Sequence, residues 1–190
     1  MSGPRATLLL TGLAILSGMV AACGDDPFAI RWSENRQEAT IYALDRPEPG
    51  LRSAFNLFER TPVKPEDPGI DGRWDFALER AGDRLRLVPP KALGHRDSRA
   101  GIVPMPGMEW EEVEEAPADT AVYVTDEPVD LEAGTLYIVR THEQTGRFGQ
   151  RCVFYGKVEP REVNAARGTF TFIFDVSPDC NNRNLVPPTD

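Results

Sequence analysis

The chain has 190 residues, with 30 acidic side chains against 21 basic ones and a net charge of −9. A surface this acidic repels phosphate backbones and anionic headgroups, which argues against nucleic acid as a partner and against a basic patch as the means of holding a membrane. With 41% hydrophobic residues, the length suffices to bury the core of one domain without unusual staples.

The first 22 residues read as a leader. Arg5 is followed by an apolar run over 6–20 (ATLLLTGLAILSGMV), and small residues then lead into Cys23. This is the layout of a secretory signal with a small-residue cleavage site. The run is short for a membrane span and is broken by Thr11, Gly12, Ser17 and Gly18. Val20-Ala21-Ala22-Cys23 resembles the lipobox of bacterial lipoprotein precursors. The resemblance implies cleavage before Cys23, acylation of its thiol and location in the cell envelope, on the extracytoplasmic side. Gly24 rather than aspartate follows the cysteine, which in that family leans towards the outer membrane where a cell has one. Loss of the leader removes one charge, Arg5, so residues 23–190 carry a net −10. The acyl chains are then expected to make the attachment to the bilayer.

Residues 23–27 form a short tether, and 28–180 are expected to form a single β domain. Residues 28–32 (FAIRW) alternate like a strand, as do 39–44 (ATIYAL), and 45–50 (DRPEPG) form a turn. Residues 51–58 (LRSAFNLF) fit a short helix or a strand, and prolines 62, 65 and 68 then break the chain. Trp74, Phe76 and Leu78 alternate with polar or small residues up to Gly82-Asp83, after which Leu85 and Leu87 continue the alternation. A two-residue turn there pairs Ala81 with Arg84 and Leu78 with Leu87, which puts both apolar sets on one face. Pro89-Pro90 ends the second strand. Residues 91–100 are polar loop, and 101–104 a short edge strand. The runs 120–125 (TAVYVT) and 135–141 (TLYIVRT) read as strands, with a shorter piece at 129–131 between them. Residues 136–139 are apolar on both faces and predict an interior strand.

The last pair of strands contains the remaining cysteines. With Cys23 lipidated, Cys152 and Cys180 are left as an even pair where disulfides persist. They flank a turn signal at 164–168. If Val163 faces Phe170 across it, Cys180 falls opposite Val153, one residue from Cys152. A single β-bulge near Pro160 then brings the sulfurs together. Closing a loop of this length stabilises by roughly 3–4 kcal/mol. Two free thiols or a metal pair are the alternatives. Residues 181–190, with Pro187-Pro188, form a tail along the surface or without fixed structure.

Eight to ten short strands without a long amphipathic helix predict an all-β domain. An antiparallel β-sandwich is the first expectation, a small β-barrel the alternative.

Chemistry is harder to find. The chain lacks a G-x-S-x-G elbow, an H-E-x-x-H pair, a dinucleotide fingerprint and a P-loop. Its two histidines, His95 and His142, read as exposed loop residues and fit no zinc-ligand spacing. The segment Glu109, Trp110, Glu111, Glu112, Val113, Glu114, Glu115, followed by Asp119, gathers six carboxylates in eleven residues. Such a group suits a cation like Ca²⁺ or an acidic docking patch, but the calcium-loop pattern is absent. Trp110, Val113 and Ala116 fall at the spacing of one stripe on a short solvated helix. Trp32 and Trp74 read as core, and Trp110 as the tryptophan open to solvent. No cofactor or metal is expected. The function expected is a membrane-anchored, non-catalytic binding or scaffold module, with an envelope protein or a glycan as candidate partner. The alternative is a carbohydrate-active or other hydrolytic module using clustered carboxylates.

Overall fold

The computed structural model describes residues 30–146 and 148–188, so the leader, Cys23 and the tether at 23–27 lie outside the described residues. The described chain is an antiparallel β-sandwich. Its strands are β1 (Gln37–Tyr42), β2 (Ala54–Asn56), β3 (Thr61–Val63), β4 (Phe76–Ala81), β5 (Arg84–Val88), β6 (Gly101–Pro106), β7 (Val129–Asp130), β8 (Thr135–Arg140), β9 (Gln144–Thr145), β10 (Arg151–Cys152), β11 (Tyr155–Asn164) and β12 (Thr169–Val176). One five-stranded sheet has the order β1-β12-β11-β8-β6, the facing one β3-β2-β4-β5-β7, and β9 and β10 form a small ribbon. Each large sheet keeps two edges, and among the described residues a single bridge, between Ala43 and Leu78, pairs backbone of one with the other, so the alternative of a closed barrel does not hold.

Alternation builds the core. Along β12, Phe170, Phe172 and Phe174 point inward while Thr169, Thr171 and Ile173 point outward. From the facing sheet, Phe55 meets Phe172 at 5.1 Å and Phe174 at 4.7 Å, ring edge to face, and Phe76 meets Phe172 at 5.7 Å. These pairs cross the gap between the sheets, so each ring is removed from water on both sides. The β4–β5 register pairs Ala81 with Arg84 and Leu78 with Leu87, as the Gly82-Asp83 turn predicts, and Gly82 takes a φ of +67°. β8 is interior, between β6 and β11, with all six of its residues buried.

The β11–β12 hairpin pairs Val163 with Phe170 and shifts register between Pro160 and Glu162. That bulge carries the one-residue offset, and the sulfurs of Cys152 and Cys180 lie at bonding distance with their Cα atoms 5.1 Å apart. The packed chain continues past Cys180. Leu185 is buried, and its N–H donates to the Glu114 carbonyl at 2.8 Å.

Four segments depart from their sequence patterns. Residues 30–32 are irregular and not a strand, since the first backbone ladder begins at Gln37. Residues 120–125 are not a strand either. The Asp119 carboxylate accepts the Ala121 N–H at 2.9 Å and winds Thr120–Val122 into a 3-10 turn, leaving one bridge from Val124 to Ile102. The stripe at 110–116 is a single 3-10 turn, Trp110–Glu112, followed by extended chain. Pro62 lies inside β3 rather than breaking the chain, which is tolerated because β3 is an edge strand.

The two ends of the sandwich differ. At one, β4 and β5, β7 and β8, and β11 and β12 are joined by short turns. At the other, where β1, β6 and β11 begin and β8 and β12 end, a short turn at 57–60 joins β2 to β3, but long segments without strand, 30–36, 89–100 and 177–188, cover the rest.

Candidate functional site

The irregular end is organised around Asp75. Sequence alternation puts this residue on the solvated back of the hairpin, but it precedes β4 and is fully buried. Its Oδ2 accepts the Leu57 N–H at 2.6 Å, and its Oδ1 accepts the His142 backbone N–H at 2.7 Å. The His142 Nδ1 lies 2.7 Å from the same Oδ1. Leu57 follows β2 in one sheet and His142 follows β8 in the other, so one carboxylate ties the two sheets together. Charge-assisted bonds to N–H donors are how a buried carboxylate replaces its lost hydration.

His142 is therefore not an exposed loop histidine. It is 5% exposed, with Nδ1 facing the buried Asp75 carboxylate. The ring lines a cleft of about 570 Å³ that His95 also lines, together with Asp71, Asp97 and Glu143. His95 is half-buried, stands 3.3 Å from Asp71 through Nδ1, and meets Trp74 edge to face at 5.8 Å. Trp74 is fully buried, but not in phase with Phe76 and Leu78. It packs with Ala54, Val63 and Ala77 on the outer side of the β3-β2-β4-β5-β7 sheet, because the regular ladder starts only at Phe76. Gly72 closes the cleft floor with a φ of +70°, and a Cβ there would stand 3.1 Å from His95 Nδ1. Position 72 is thus set by both backbone angle and space.

Two more clefts open at this end. One, of about 370 Å³, is lined by Trp32, Glu34, Phe58 and Arg60. Arg60 donates to the Asp175 carboxylate at 2.5 Å and to the Asn35 carbonyl at 2.8 Å, and the Asn35 N–H reaches Asp175 at 2.8 Å. These bonds seat residues 30–35 against the end of β12. The other cleft, of about 430 Å³, lies across the 94–99 loop from the histidines and is lined by Lys91, Arg99 and Arg140 among others.

The acidic segment is dispersed. Glu111 bonds Arg36 at 2.9 Å, Glu115 bonds Arg183 at 2.6 Å, and Glu112 accepts the Glu109 N–H at 2.9 Å. Asp119 is spent on its own turn, and Glu114 is exposed with its carbonyl on Leu185. No group of three histidine, cysteine or carboxylate side chains among the described residues is placed to hold a metal ion. Arg36 holds the Glu111 carboxyl below the usual range by its hydrogen bond, and does the same for Glu34.

Trp110 is buried, not open to solvent. Its Nε1–H donates to Glu34 at 2.6 Å, and its ring centre is 4.7 Å from the Arg36 guanidinium and 5.2 Å from the Lys157 ammonium. Lys157 is itself buried and donates to the Trp110 carbonyl at 2.7 Å; desolvation lowers its pKa. Trp110, Val113 and Ala116 thus pin the acidic segment onto the outer face of the larger sheet, with Tyr155 and Leu185.

Sequence reasoning missed Asp75 and Arg140. A usable signal for Asp75 exists in the order Trp74-Asp75-Phe76: a carboxylate between two aromatics at the start of a core strand needs buried partners. No family model, no curated protein and no solved structure matches the chain.

Proposed function

We propose that the chain is a lipid-anchored protein of the cell envelope whose β-sandwich is a non-catalytic binding module. Val20-Ala21-Ala22-Cys23 supports the anchor. The observation that carries the binding role is the gathering of three clefts, two of them polar and one mixed, at one end of the sandwich, the end where residues 30–35 join the domain. From Cys23 to residue 30 an extended chain spans at most ~25 Å, so a lipid on Cys23 keeps that end close to the bilayer surface. The outer membrane is the favoured location in a cell that has one. A hydrolytic or carbohydrate-active role is the second reading, supported by His142, Asp71, Asp97 and Glu143 on one cleft. Glu143, however, already pairs with Arg151 at 3.0 Å and Arg99 at 3.6 Å.

Cys23→Ala in the full chain is expected to abolish incorporation of radiolabelled palmitate and to release the protein from membranes. Continued labelling overturns the anchor. For the binding role, the full chain is expected to leave ester and glycoside reporter substrates unchanged. Turnover lost in His142→Gln would establish the second reading instead.

A further inference from the structure

The cleft opposite the histidines has a charge that the rest of the chain does not. The protein carries a net −9, yet Lys91, Arg99 and Arg140 line this cleft against one carboxylate, Asp126. Arg140 is 7% exposed. Its Nε donates to the Arg99 carbonyl at 2.8 Å, and its guanidinium carbon lies 4.8 Å from the centre of the Tyr123 ring. Among the described residues no carboxylate lies within salt-bridge distance of Arg140 or of Lys91, and the Arg140 Nη groups bond no protein atom. Burial of the guanidinium depresses its pKa, and the Tyr155 and Tyr123 phenols oppose that effect only in part.

A buried arginine is ordinarily paired, because an ion out of water needs a counter-charge and filled hydrogen bonds. Here the backbone carbonyl and the ring fix the direction of the fork, and the two-pronged edge is left for something else. The Tyr123 ring and the Arg99 carbonyl hold the head group in place, and its two free Nη groups suit two oxygens of one anion. Ser98, Thr120 and Thr125 add hydroxyl donors around the same space.

We infer that this cleft is an oxyanion site, with Arg140 as its fixed fork and Lys91 and Arg99 as flanking cations, for a phosphate or carboxylate group on a ligand. The inference rests on the reading of the domain as a binding module and supplies its ligand class; the palmitate experiment reads the anchor alone, so the two fail separately. The oxygens come from a free anion or from a phospholipid headgroup, which the proximity of this end to the bilayer brings within reach.

The test is calorimetric titration of the detergent-solubilised full chain with inorganic phosphate, with chloride holding ionic strength constant. The parent protein is expected to give a saturable one-site isotherm. Arg140→Lys keeps the charge and loses the fork, and should weaken phosphate binding about tenfold, the equivalent of one charge-assisted hydrogen bond. Lys91→Gln, at an exposed position, should weaken it about threefold, and Arg84→Gln at the far end should leave it unchanged. Displacement of phosphate by dihexanoyl-phosphatidylglycerol at lower concentration identifies a lipid headgroup, and failure to displace identifies a free anion; both support the site. A linear, non-saturating titration overturns it. So does binding that Lys91→Gln and a folded Arg140→Lys leave untouched.

Discussion

The two ends of the sandwich are built from the same strands and solve different problems. At the turn end, the chain reverses within a few residues, as at Gly82-Asp83 and at 165–168, and polar side chains such as Asp83 face water. At the irregular end, the chain travels far between strands and takes ionisable groups with it. Asp75, His142, Arg140 and Asp175 are all buried there. Each must find partners inside the protein, and the loops that supply those partners also enclose the clefts. The lesson is that the same core supports a solvated end that is locally determined and a polar end held together by long-range bonds.

The largest expected effect breaks that contrast or keeps it. Asp75→Ala leaves the N–H groups of Leu57 and His142 without their acceptor, and should cost roughly 3–5 kcal/mol of stability in urea unfolding. Asp83→Ala at the turn end should change stability by no more than about 0.5 kcal/mol. Equal losses would mean that the two ends are not energetically distinct.

Next comes the staple. The Cys152–Cys180 bond closes a separation of 28 residues at the irregular end. Replacing both cysteines by alanine should cost about 3–4 kcal/mol, read from the same unfolding curves. A loss near zero would show that the loops around the clefts are already ordered without it.

The smallest effect sharpens the turn end, where Tyr137 is fully buried. It donates to the Asp130 carbonyl at 2.9 Å and accepts the Glu132 N–H at 2.8 Å. Burial, with the nearby Glu132 and Asp130 carboxylates, pushes the phenol up to about 12, while the Glu132 N–H pulls the other way. The unfolded chain loses that proton near pH ~10 and the folded one only near pH 12, so the stability this group contributes is fully present below the first value and is lost between them. Tyr137→Phe should cost roughly 1–2 kcal/mol at neutral pH. It should also reduce the alkaline fall, measured as the difference between parent and variant at pH 9 and 11. Tyr123, shifted upward by burial in the same direction, retains part of it.

Most of the longer strands and both hairpin registers were legible in the sequence. The Val163–Phe170 register, the bulge by Pro160 and the resulting approach of Cys152 to Cys180 follow from counting along two strands. The Leu78–Leu87 pairing follows from one turn. The site was much less legible. His142 reads as a loop residue because nothing near it in sequence needs it, and its partner Asp75 is 67 positions away. The acidic segment misled in the opposite direction. Six carboxylates in eleven residues suggest one task, but their cations, Arg36 and Arg183, arrive from distant parts of the chain and separate them. Residues 120–125 have the composition of a strand, and a single Asp119 cap decides otherwise.

The sequence by itself determined the all-β class, the two hairpins and the cysteine pair. Those features depend on side-chain period, turn chemistry and short separations, which act on neighbours and leave their mark in the order of residues. Only the tertiary structure decided which charged groups are buried, which of them find partners, and that Arg140 keeps an open fork beside Lys91 and Arg99. A charge can be satisfied by any residue that the fold brings near it, and that choice is made across the sandwich, between residues whose separation along the chain carries no signal.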